Sequence, residues 1–91
     1  METEKQITWD KDTEAKFLKI LEQIPDLIRG IAEARVSKKA QSIVKEDNRC
    51  VISQEDMVHA FFAETPPAFK AAMKASMQEL GIDYTKCGYE Q

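Results

Sequence analysis

No stretch of eighteen apolar residues occurs in this 91-residue chain, so nothing in it reads as a membrane span. The opening METEKQITWDKD lacks the basic-then-apolar order of a secretory leader. Cytoplasm is the default compartment, and Cys50 and Cys87 read there as free thiols rather than a disulfide. Only three glycines and three prolines are present, too few for long loops, which favours helices with short connections. There is one histidine, His59, with no second ligand at CxxC or HxxxH spacing. Metal binding therefore has no local signature, and neither does cofactor binding. No GxSxG and no Gly-rich phosphate loop appears, so catalytic residues are expected to be absent and the chain is read as a non-enzyme. Basic excess is missing as well. The net charge of −3 argues against a protein held to nucleic acid through phosphates.

What is present suits one small domain. Apolar residues make up 43% of the chain and charged residues 32%, enough for one core under a well-hydrated surface. Residues 1–8 read as a flexible N-terminus, 9–82 as a single helical domain and 83–91 as a C-terminal tail. The first helix is expected from about Asp10 to Ile24. Asp10 is its cap, and Phe17, Ile20, Leu21 and Ile24 form one face. Trp9 is placed to staple the helix entry. Pro25 ends this helix and starts the next.

The second helix spans about Asp26 to Asp47, and its apolar phase shifts part-way. Leu27, Ile28 and Ile31 point one way, while Ala32, Val36, Ala40, Ile43 and Val44 point another. Gly30 at the switch predicts a short piece over 26–30 followed by a longer helix. The alternative is one straight helix wrapped on two sides. Asn48 is expected to close it in the left-handed conformation. Cys50, Val51 and Ile52 form an extended crossing too short for a strand, with side chains entering the core. Ser53, with Asp56 three residues on, opens a third helix to about Ala63. Thr65-Pro66-Pro67 starts a fourth, whose stripe is Phe69, Ala72, Met73, Ser76, Met77 and Leu80. It closes at Gly81 with Ile82 folded back. The tail either lies along the bundle or is disordered. The expected fold is therefore all-α, a compact bundle of about four helices with a histone-like helix–crossing–helix centre.

The most suggestive chemistry is a set of cations. Arg35, Lys38, Lys39, Lys45 and Arg49 fall on about a third of the second helix's circumference, without interleaved aromatics. Such a stripe suits an acidic partner, a phosphate or a carboxylate; the bland reading is a solvated face. Phe62 and Leu27 are apolar residues in excess of what a one-sided helix needs, and mark a possible partner groove. Lys86 beside Cys87 is expected to lower its thiol pKa.

Ile24-Pro25-x-Leu27-Ile28-Arg29, then Ala32, Val36 and Ala40, then Ile52-Ser53-x-Glu55-x-Met57-x-x-Ala60 form a pattern. It resembles the small C-terminal domain of the light-independent protochlorophyllide reductase B subunit, over about residues 9–62. The large iron–sulfur part of that subunit has no counterpart here. The resemblance implies a helical accessory or protein-interaction module of a larger bacterial redox or tetrapyrrole-related complex, not reductase activity. It also implies an anion-contacting set of Arg29, Arg35 and Lys39. Val51-Ile52-Ser53-Gln54-Glu55-Asp56 also resembles the helix start in the second half of a histone fold. The alternative functions are a histone-like nucleic-acid module using the basic face and a binder of a small ligand or tetrapyrrole. The oligomeric state has no signature.

Overall fold

The computed structural model of the chain describes residues 7–89. They run as strand β1 (Thr8–Trp9), helix α1 (Lys11–Glu22), helix α2 (Asp26–Glu46), strand β2 (Val51–Ile52), helix α3 (Gln54–Glu64), a 3-10 turn (Pro67–Phe69), helix α4 (Lys70–Glu79) and a last 3-10 turn (Tyr84–Cys87). This is the expected small all-α bundle with an extended crossing. Of the N-terminal segment 1–8, only Ile7 and Thr8 lie within the described residues.

Helix α1 starts where Asp10 accepts hydrogen bonds from the Thr13 amide at 3.2 Å and the Thr13 hydroxyl at 3.1 Å. Its buried face is Phe17, Ile20 and Leu21, while Leu18 stays exposed. Trp9 stacks on Phe17 with ring centroids 4.5 Å apart, and Phe17 leans on Phe61 at 5.7 Å. The apolar contact at the helix entry is therefore made, from a strand residue to the second turn.

The crossing, too short for a strand by the sequence reading, forms one of two residues: β1 pairs in parallel with β2, Thr8 opposite Val51 and Trp9 opposite Ile52. The Thr8 amide donates to the Cys50 carbonyl at 2.9 Å, and the Asp10 amide to the Ile52 carbonyl at 3.0 Å. Strand side chains alternate, so only Ile52 enters the core; Val51 is exposed and Cys50 half-buried, not inward as expected.

Helix α2 is continuous through Gly30, so the expected break is absent. Its buried line is Val36, Ala40 and Val44, at i, i+4 and i+8. The phase shift falls where one face of the continuous helix is left uncovered. Leu27 is 91% exposed and Ile31 58% exposed. Asn48 closes the helix at φ 58°, and the Arg49 amide returns to the Val44 carbonyl at 2.9 Å.

Ser53 caps α3 in a reciprocal box: its hydroxyl accepts from the Asp56 amide and Asp56 accepts from the Ser53 amide. Met57, Val58, Ala60, Phe61 and Phe62 are buried, which makes α3 the central element. Thr65 ends α3 rather than capping the next helix, and its hydroxyl donates to Met73 Sδ at 3.2 Å. The tighter 3-10 winding after Pro66 turns Phe69 out of the predicted stripe. Phe69 and Ala72 are exposed and Leu80 half-buried; Met73, Ser76 and Met77 carry the buried face of α4.

Gly81, at φ 74°, lets the Ile82 amide reach the Met77 carbonyl at 2.9 Å, and Ile82 is buried. The described part of the tail then lies along the bundle. Tyr84 is 2% exposed, and its hydroxyl accepts from Gln78 Nε2 at 3.0 Å. Tyr89 stacks on Phe62 at 3.8 Å, with its hydroxyl 2.7 Å from His59 Nδ1.

Candidate functional site

The six candidate cations divide by what already holds them. Arg29 reaches back over Pro25 to the end of α1. Its Nε donates to the Leu21 carbonyl at 2.8 Å and the Ile24 carbonyl at 3.2 Å; its Nη2 donates to the Ile24 carbonyl at 3.0 Å. A helix end leaves carbonyls without intrahelical partners, and this guanidinium closes them. Nη1 also pairs with Asp26 at 2.9 Å.

Arg49 forks onto Asp56, Nη1 to Oδ2 at 2.9 Å and Nη2 to Oδ1 at 2.7 Å, and Nε bonds Asp47 at 2.9 Å. Asp56 is 4% exposed. Burial alone would push its carboxyl up. The hydrogen bonds from Arg49 and Ser53, with the Arg49 charge, outweigh that and hold it below the usual carboxylate range. Arg49 is raised chiefly by the Asp56 hydrogen bond. The pair joins the exit of α2 to the start of α3.

Arg35, Lys38, Lys39 and Lys45 have no carboxylate within ion-pair distance among the described residues. Arg35, Lys38 and Lys45 are exposed and share roughly a quarter-turn of α2; half-buried Lys39 lies about 40° past Arg35. Helix geometry thus gathers three of the six on one face.

Beside that face is a cleft of about 320 Å³, between the end of α1, the N-terminal half of α2, the end of α3 and the start of α4. Ile24, Ile28, Ala32, Phe61 and Met73 line it, with Ile31 and Phe69 also exposed to solvent. Its two hydroxyls already donate within the domain: Ser76 Oγ to Gln23 Oε1 at 2.5 Å, and Thr65 Oγ1 to Met73 Sδ at 3.2 Å. What remains open is apolar surface with two charged lining residues, Arg35 and Glu64. Leu27, one turn before Ile31, extends the apolar surface outward. Of the two residues flagged in the sequence as groove markers, Leu27 is here, while Phe62 is buried under Tyr84 and Tyr89. The sequence signalled an apolar surface, through Leu27 and the phase shift over Leu27, Ile28 and Ile31, but not the cleft's walls from α1, α3 and α4.

His59 is engaged by Tyr89, and both cysteines are free thiols. Burial, with Glu55 and Asp83 nearby, pushes the Cys87 thiol up, opposite to the lowering expected from Lys86. Among the described residues no three His, Cys, Asp or Glu side chains gather as a metal site, and no helix is long and apolar enough to cross a membrane.

Residues 2–91 match the family described as "Protein of unknown function (DUF2621)", and the chain belongs to that family. No curated protein and no solved structure matches the chain.

Proposed function

We propose that this member of the DUF2621 family is a non-enzymatic docking module that receives an apolar segment of a protein partner in the cleft beside α2. One observation carries the reading. Leu27, Ile31 and Phe69 stand 91%, 58% and 48% exposed around a cleft whose two hydroxyls, on Thr65 and Ser76, are already bonded internally. Covering such a side chain is worth about 1.5–3 kcal/mol when it starts fully exposed, as Leu27 nearly does, and about half that for Ile31 and Phe69. Clustered apolar exposure of this kind marks interaction sites more often than scattered single residues do. The resemblance to the protochlorophyllide reductase domain supports the same kind of role. We place the partner in a cytoplasmic redox or tetrapyrrole-related complex on that ground alone. A nucleic-acid reading has less support, because the three gathered cations carry no interleaved aromatic and the chain is net acidic.

A photo-crosslinking amino acid placed at Ile31 or Phe69 in cells tests the proposal, with exposed Glu79 of α4 as control. A discrete polypeptide adduct from both cleft positions and not from the control is expected. No adduct, or the same labelling from all three positions, overturns it.

A further inference from the structure

The outward side of α2 changes character half-way along its length. With Val36, Ala40 and Val44 buried, the opposite arc begins with Leu27 and Ile31 and continues with Arg35, Lys38 and Lys45. No carboxylate falls on that arc; Glu46, bonded by Ser42, sits just past its edge. At about 1.5 Å per residue the face from Leu27 to Lys45 is about 27 Å long. The face thus joins two exposed aliphatic side chains to three exposed cations with no carboxylate between them. Its apolar end adjoins the cleft and its cationic end continues along the helix axis.

We propose that this face takes an amphipathic partner helix that is apolar at one end and acidic at the other. The apolar end would cover Leu27, Ile31 and the cleft, and the carboxylates would lie over Arg35, Lys38 and Lys45. This inference rests on the docking reading and names the chemistry of its occupant. A helix laid beside α2 at about 8–10 Å matches the length of the face, and helix-in-groove recognition places apolar side chains at helical spacing into such a cleft. The two halves do different jobs. Exposed ion pairs are worth about 0–1 kcal/mol each, so the cations set direction and register while the apolar end holds the partner. An anionic bilayer fits less well. Its apolar contact would be a protruding tip ringed by cations, whereas here a concave cleft lies at one end and the cations at the other.

The test uses the full chain and synthetic helices of roughly eighteen residues, long enough to span the face. Each has a leucine-striped half and a half carrying either Glu or Lys, made in both block orders. Amide chemical shifts report binding. The better Glu helix is expected to bind at least tenfold tighter than either Lys helix, shifting Leu27, Ile31, Arg35 and Lys38. The triple variant Arg35→Glu, Lys38→Glu, Lys45→Glu should reverse that preference. Ile31→Asp with Phe69→Asp should abolish binding of both. Equal affinity for Glu and Lys helices, with loss in the Asp variants, overturns the acidic partner and leaves the docking reading standing. Binding indifferent to Ile31→Asp and Phe69→Asp removes the docking reading too. Failure of every helix, or binding only to phosphatidylglycerol vesicles, also overturns the proposal.

Discussion

Asp56 does two jobs at one position. It completes the α3 cap with Ser53 and receives the Arg49 fork, so it fixes both the helix start and the turn before it. Hydrogen bonds to a charged group contribute about 1.5–3 kcal/mol. Asp56→Asn should therefore cost about 2 kcal/mol in urea unfolding at neutral pH. The pH dependence follows from the depressed carboxyl. Its contribution is complete above the unfolded value of about 3.9 and is lost as pH falls through the lower folded value. Wild type should lose stability as pH drops below about 4, and the variant should lose less over the same window. Parallel curves would contradict this. The cap was legible in the sequence because Ser53 and Asp56 are three residues apart. The roles of Arg29 and Arg49 were not. A cation's sequence neighbours do not reveal whether a carbonyl eight residues back, or a carboxylate across a turn, will claim it.

Between elements, the punctuation that sequence showed best was local. Asp10, Asn48, Ser53 and Gly81 all act within one helical turn, and all stand where their chemistry predicts. Gly30 misled because a glycine in a helix costs about 1 kcal/mol without forcing a bend. The two glycines therefore separate under the same substitution. A methyl at either position meets nothing within 4 Å. At Gly30 the backbone is helical, so Gly30→Ala should stabilise by about 0.5–1 kcal/mol. Gly81 sits at φ 74°, and Gly81→Ala should destabilise by about 1–2 kcal/mol. Thermal unfolding of both variants measures the difference, and shifts of the same sign would refute the assignment. Phe69 leaves its predicted stripe for a related reason: two prolines suit a first α-helical turn, and the chain takes a 3-10 turn there instead.

For the whole molecule, the sequence set the boundary of the folded unit at residue 82 and left the tail open. Tyr84 and the Tyr89–Phe62 stack put the following residues against the core. They look like a tail in sequence because a 3-10 turn and a stack supply no period to read. A domain this size holds about 5–14 kcal/mol of stability. Loss of a buried aromatic costs about 3–5 kcal/mol. Ending the chain after Asp83 should therefore lower the melting temperature by at least about 12 °C. A drop of only a few degrees would return those residues to the status of an appendage.

The two-rung ladder between Thr8–Trp9 and Val51–Ile52 sets an order of assembly. Its rungs close a loop of some forty residues, and that entropy must be met before the rungs repay it. The helix pair on either side of Ile52 must already be in place to offer an edge. Thr8 and Trp9 are then the last to dock and the first to let go. In native-state hydrogen exchange the amides of Thr8 and Asp10 should open at lower free energy than those of α3, with Trp9 fluorescence following the release.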